Sequence, residues 1–229
     1  MQGETGKRSA WVVAVDGPAG AGKSTVARLV ASRLGLLYLD TGAMYRALAL
    51  KALATGTDVA DALRLVELLQ EADIHVGEDP NRQLRVWLDG QDVTDAIRRP
   101  EVHATVAQVA SVPGVRAGMV DRQRALAELG GVVMDGRDIG TYVLPNAPFK
   151  FFLTASLEAR AARRHRELAA QGFSVDPGVL RQEIVARDRM DSTRAVAPLQ
   201  CAPDAQVIDT TELSVSQVVD QILAVVRGR

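Results

Sequence analysis

Gly17-Pro18-Ala19-Gly20-Ala21-Gly22-Lys23-Ser24 follows the apolar run Trp11–Val15 and opens the helical pattern Val26, Leu29, Val30, Leu34. It is a G-x-x-x-x-G-K-[ST] phosphate loop in its proper setting, strand before and helix after. The glycines let successive backbone N–H groups turn inward around a phosphate, and the helix N-terminus adds partial positive charge. In this pattern Lys23 reaches the β- and γ-phosphates, and the Ser24 hydroxyl ligates Mg²⁺. The stretch Gly17–Thr25 (Gly17, Pro18, Ala19, Gly20, Ala21, Gly22, Lys23, Ser24, Thr25) is therefore expected to bind a nucleoside triphosphate.

Outward from the loop the chain alternates strand and helix. Apolar strands are predicted at Val12–Asp16, Leu36–Asp40, Val132–Asp135, Lys150–Thr154 and Gln206–Asp209, with Gly35 as a helix C-cap between the first two. Ser214-Val215-Ser216-Gln217 is a capping box that opens a final helix with Val215, Val218, Ile222 and Val226 on one side. Fully apolar strands separated by helices imply a parallel sheet buried on both faces. The predicted fold class is α/β, a P-loop three-layer sandwich on a five-stranded parallel sheet.

Two segments break the rhythm. Asp73–Val76, Leu84–Leu88 and Gln91–Thr94, with an Asp89-Gly90 turn, read as a small antiparallel β insertion. Pro100 and Pro113 then start helices. The segment Arg160–Arg194 is helical, charged and poor in aromatics, with a helix start at Asp176-Pro177. It reads as a helical lid, mobile because little apolar surface anchors it. The chain is thus one domain, 1–229. Its core comprises 10–43, 113–158 and 196–229, the insertion 44–112 and the lid 159–195.

Composition bounds the function. The 229 residues are 47% hydrophobic and 24% charged, ordinary for a globular protein with a sizeable core. No apolar run approaches the roughly 18 residues of a membrane span. Met1–Ser9 lacks an apolar centre and is not expected to be a signal peptide. Cys201 stands alone, which excludes a disulfide framework and fits the cytoplasm. His75, His103 and His165 have no metal-ligand spacing. A net charge of −1 supplies no global field for nucleic acid, yet 23 of the 27 cationic residues are Arg, suited to bidentate phosphate recognition.

Three further constellations carry chemistry. In Asp40-Thr41-Gly42-Ala43-Met44-Tyr45-Arg46, Arg46 lies one turn beyond the carboxyl end of the second strand, where ligands of open α/β sheets bind. In Val132-Val133-Met134-Asp135-Gly136-Arg137-Asp138, an apolar strand ends in Asp135, the Walker-B pattern that holds Mg²⁺ directly or through water. Two carboxylates and a guanidinium share that loop. In Arg187-Asp188-Arg189-Met190-Asp191-Ser192-Thr193-Arg194, the residues Arg187, Asp191 and Arg194 fall at i, i+4 and i+7 on one helical face. Taken alone, a surface ion-pair ladder explains that face.

With these motifs in order, the chain resembles the bacterial cytidylate kinases over nearly its whole length. The motifs are DGPAGAGKST (Asp16–Thr25), LDTGAMYRALAL (Leu39–Leu50), DGRDIGTYVLPNA (Asp135–Ala147) and RDRMDSTRAVAPL (Arg187–Leu199). The resemblance implies an ATP-dependent kinase of CMP and dCMP that uses Mg²⁺ with ATP. It implies Arg46, Arg137 and Arg194 around the CMP phosphate, Arg187 and Asp191 on the ribose hydroxyls, and Arg116 and Asp138 facing the cytosine. Thr41 and Tyr45 join the expected CMP site, and Lys23, Arg137 and Arg194 are the expected catalytic residues. Cytosine offers an amino donor and two acceptors on its edge, which one carboxylate and one guanidinium satisfy. The chain departs from the family pattern at Ala107, where a base-contacting Ser is expected before Gln108-Val109; Gln108 or water is left to substitute.

The attacking oxygen of CMP is already anionic near neutral pH, so the chemistry requires charge neutralisation and alignment rather than a general base. On this reading Arg194→Ala lowers kcat/KM by orders of magnitude with little change in fold stability. Two other readings stay open here. A P-loop kinase of a hydroxylated metabolite, such as shikimate kinase, shares the loop and lid but needs a carboxylate base. A nucleotide switch shares the loop but needs no second phosphate pocket. The mixed polar surface points to a cytoplasmic monomer.

Overall fold

Strand β1 (Val12–Asp16) carries Val13, Ala14 and Val15 fully buried, as a strand covered on both faces requires. The computed structural model describes residues 11–79, 84–170 and 172–228, so the segment Met1–Ser9 lies outside the described residues. After β1 come α1 (Lys23–Leu34), β2 (Leu37–Asp40), α2 (Thr41–Ala54), α3 (Ala62–Glu71), β3 (Ile74–Glu78), β4 (Leu84–Leu88) and β5 (Gln91–Asp92). Then follow α4 (Pro100–Ser111), α5 (Pro113–Glu128), β6 (Val132–Asp135), β7 (Phe149–Thr154), α6 (Leu157–Ala170), α7 (Pro177–Thr193), β8 (Gln206–Asp209) and α8 (Val215–Arg227).

The five-stranded sheet has the order β2-β6-β1-β7-β8, and the pairings of β1 with β6 and β7, and of β7 with β8, are parallel. The register sets Val15 opposite Asp135 on one side and opposite Phe151 on the other. Asp16 and Asp135 therefore end adjacent strands at the carboxyl edge, the position from which open α/β sheets serve ligands. By compactness the chain divides into 1–37 with 131–229 and a second unit, 38–130, the division falling inside β2.

In the first unit α8 packs on α1, and α6 packs on α7. The Ser214–Gln217 capping box forms as its sequence demands, with the Ser214 and Gln217 side chains each bonding the other's backbone N–H. In the second unit β3, β4 and β5 make an antiparallel sheet, closed by Asp89 and Gly90 at φ 51° and 79°, the left-handed pair of a type I′ turn. Prolines 100 and 113 occupy the first helical turns of α4 and α5, where the missing N–H costs nothing.

Element edges shift for local reasons. The second strand starts at Leu37, because the Leu36 N–H is spent on Ala31 O in the αL cap at Gly35. The last antiparallel strand stops at Asp92: the Val93 N–H still bonds Val86 O at 2.8 Å, but the Val86 N–H turns to the Thr94 hydroxyl at 3.0 Å in place of the Val93 carbonyl. Among the described residues no helix is long and apolar enough to cross a membrane.

Candidate functional site

The phosphate loop leaves the sheet at Gly17, whose φ of 142° suits only glycine; a Cβ there would lie 2.0 Å from Leu153 O. Gly22 at φ 86° ends the loop as the N-cap of α1, so the first N–H groups of that helix face the loop. Lys23 is buried, and its ammonium donates to Pro18 O at 2.7 Å, folding back across the loop. Burial, then the neighbouring Arg137 and Arg187 guanidiniums, pull its pKa down to about 7 against the opposing pull of Asp135 and Asp16. The Ser24 hydroxyl donates to Asp135 Oδ2 at 2.8 Å, which joins the loop to the end of β6.

The segment after β6 and the end of α7 interlock. Arg137 Nε donates to Asp191 Oδ2 at 2.9 Å, and Arg194 Nη2 donates to Asp138 Oδ1 at 3.1 Å. The Arg194 and Asp138 side chains are only 5% and 8% exposed, so these are not ladder pairs on a solvated surface. Burial alone would raise the Asp191 carboxyl, but Arg137, Arg187 and Arg194 hold it below its ordinary range. Asp191 in turn keeps Arg137 firmly charged against the cost of its own burial. The expected common helical face is corrected at Arg194. Helix α7 ends at Thr193, and Arg194 is extended at ψ 144°, its Nε drawn to Ala197 O at 2.6 Å.

Within the second unit, Asp40 caps α2 by accepting from the Ala43 N–H at 2.9 Å and takes Arg46 Nη2 at 2.7 Å. Burial opposes its ionisation, yet Arg46 holds the Asp40 carboxyl below its ordinary range. Arg46 Nε is buried with no hydrogen-bond acceptor among the described residues, a donor that an anion oxygen can fill. Arg116, 1% exposed, sets its guanidinium 5.7 Å from the centroid of the Tyr45 ring, and Thr41 is buried as the first residue of α2. Ala107 is buried in α4 and offers no hydroxyl.

Two residues of the site, Asp16 and Arg160, carried no assigned role. Asp16 accepts from the N–H groups of Ile139 at 2.8 Å and Gly140 at 2.7 Å. Arg160 Nη1 donates to Ala19 O in the phosphate loop at 3.2 Å and to Asp188 Oδ2 at 2.6 Å. The position of Asp16, one residue before the loop, was the only signal available for it. Among the other lid arginines, Arg163 bonds Thr210 and Arg164 pairs with Glu167.

Fold and site together define a P-loop nucleotide-binding protein of the phosphotransferase kind, with carboxylate-paired arginines beside the triphosphate loop. The family model described as cytidylate kinase matches residues 13–228. The cytidylate kinase of Geobacillus kaustophilus (strain HTA426) is 56% identical over 217 residues, covering 95% of this chain and 96% of that one. That of Pelotomaculum thermopropionicum (strain DSM 13744 / JCM 10971 / SI) is 55% identical over 212 residues, covering 93% and 94%. Among solved structures, an uncharacterized protein from Eubacterium ventriosum ATCC 27560 shares the fold at TM-score 0.56 and 14% identity, covering 96% of this chain and 99% of that one. The chain belongs to the cytidylate kinase family.

Proposed function

We propose that this protein transfers the γ-phosphoryl group of ATP to CMP and dCMP, giving CDP and dCDP. The observation that carries the reading lies within one unit: Asp135, two residues before Arg137, accepts from the hydroxyl of Ser24, the residue after Lys23, at 2.8 Å, which brings the Arg137 loop and the Lys23 loop together. Two cations in one field suit a reaction that must bring two polyanions together.

Gly17 to Thr25 take the triphosphate, with Lys23 on its terminal phosphates. Ser24 and Asp135 offer hard oxygens joined at 2.8 Å, a fit for Mg²⁺ held with waters and phosphate oxygens. When bound, Mg²⁺ neutralises phosphate charge. Arg46, Arg137 and Arg194 take the CMP phosphate, Arg187 and Asp191 the ribose, Arg116 and Asp138 the base, and Thr41 and Tyr45 complete that site. Arg137 and Arg194 exchange carboxylate partners for phosphate oxygens, so their charge is prepaired and oriented before the substrate arrives. The attacking CMP phosphate oxygen is anionic, so no residue need remove a proton. The segment 44–112 serves as the monophosphate-binding insertion and 159–195 as the lid on the core. The working enzyme is a cytoplasmic monomer with no nucleic-acid or membrane partner.

The test is ADP release in a coupled assay with CMP, dCMP, UMP, AMP and shikimate offered in turn. CMP and dCMP should exceed the others in kcat/KM by at least about tenfold. Preference for shikimate or AMP, or ATP turnover indifferent to the acceptor, overturns the proposal.

A further inference from the structure

Asp138 begins a short π-helical turn, Ile139–Val143, and is its N-cap residue. Tyr142 and Val143 both bond Asp138 O, at 2.9 and 3.0 Å, so the turn opens with unsatisfied N–H groups like any helix. An Asp at this position ordinarily turns its own carboxylate onto them. Here it does not: Asp138 makes no capping bond, and its Oδ1 meets Arg194 instead. The orphan donors, Ile139 N–H and Gly140 N–H, are met by the two oxygens of Asp16, one each. Asp16 is 4% exposed and belongs to β1, next to Gly17 of the phosphate loop. On the other side of the pair, Gly136 N–H bonds Val15 O at 3.1 Å, the last rung between β1 and β6. Arg137 and Asp138 are therefore the two residues spanning a pair of anchors, both on the end of β1.

We propose that Asp16 is a positioning residue of the phosphoryl transfer, capping the Ile139–Val143 turn from a neighbouring strand so that the Asp138 carboxylate serves Arg194 and the acceptor base rather than its own helix. This rests on the reading that Arg137 and Asp138 handle CMP. Two carboxylates divide two tasks that one could not perform together, since an oxygen spent on an inward N–H is turned away from a ligand. The same arrangement fixes the spacing between the triphosphate loop and the acceptor loop, because both hang from consecutive residues of one strand.

Asp16→Asn tests it. The amide keeps the shape but sets an NH₂ against one of the two backbone donors, so one cap is lost and Asp138 is drawn toward it. KM for CMP should rise about tenfold and the CMP-to-UMP preference should narrow, while Kd for ATP measured without acceptor changes less than about threefold. In the Asp138→Asn background, Asp16→Asn should narrow the preference no further, the non-additivity expected of residues acting through one another. Gly140→Ala approaches the clamp from the other side, its Cβ falling 3.4 Å from Asp16 Oδ2 and 3.1 Å from Lys150 Cδ, and should shift KM for CMP in the same direction. If either folded variant lowers Tm and the active fraction but leaves KM for CMP and the base preference unchanged, Asp16 is only a structural cap and the proposal is overturned. Failure of the unaltered protein to phosphorylate CMP overturns the functional reading itself, before any variant is compared.

Discussion

Arg194 makes the chemistry and the stability of this protein hard to separate. Its guanidinium meets Asp138 Oδ1 at 3.1 Å, lies 3.9 Å from Asp191 Oδ1 and donates to Ala197 O. Arg194→Ala removes a cation from the proposed transition state, and kcat/KM for CMP should fall by about 10³-fold or more. The expectation of an unchanged stability does not survive the geometry. Truncation leaves two buried carboxylates short of a partner, and urea unfolding should show a loss of about 3 kcal/mol. Activity loss with unaltered stability would mean that the pair is worth nothing in the folded state. Asp138 yields a narrower effect. Uracil sets an acceptor against its carboxylate, so Asp138→Asn should shrink the CMP-to-UMP ratio of kcat/KM by about tenfold or more. An unaltered ratio removes Asp138 from base recognition.

At the scale of elements, what is local in the chain was legible from it. The phosphate loop, the αL cap at Gly35, the prolines opening α4 and α5, the Asp89-Gly90 turn and the Ser214 capping box each rest on backbone preferences of a few adjacent residues. What escaped was set by distant partners. The register of Asp16 against Ile139 joins residues 123 apart in sequence, and no local pattern announces it. Arg194 reads as the next position on a helical face, but attraction to Asp138, 56 residues away, and to Ala197 O takes it out of the helix. The acceptor-site roles came from the family resemblance rather than from spacing, since each isolated Arg also fits a solvated surface. Gly17→Ala probes the local part. The added Cβ would sit 2.0 Å from Leu153 O, and Leu153 is held by its pairing opposite Ile208, so the strand cannot retreat. The variant should lose ATP binding by more than about 100-fold or fail to fold; near-normal affinity by calorimetry would show that the loop tolerates a different path.

Across the whole molecule, the same burial that prepares the site gives stability an unusual pH dependence. Asp40 and Asp191 are held below the ordinary carboxylate range, so their contribution is complete above about pH 4 and is lost only on further acidification. Asp16 runs the other way. Burial, outweighing its two backbone N–H bonds, raises its pKa from 3.8 to about 6. Between those values the folded protein holds a proton that the unfolded chain has released, so stability from this group is present at low pH and falls as pH rises through 6. Lys23, lowered to about 7, alters stability only above that pH and stands outside the window. From pH 4.5 to 7 the unaltered protein should lose about 2 kcal/mol that Asp16→Asn does not lose, on top of whatever constant cost the amide brings. Urea titrations of both proteins at half-unit steps provide the check, read as the difference between the two unfolding free energies. That difference should decline toward neutral pH and level off above about 6.5. A difference independent of pH would mean that Asp16 is ionised throughout, its two N–H bonds outweighing its burial.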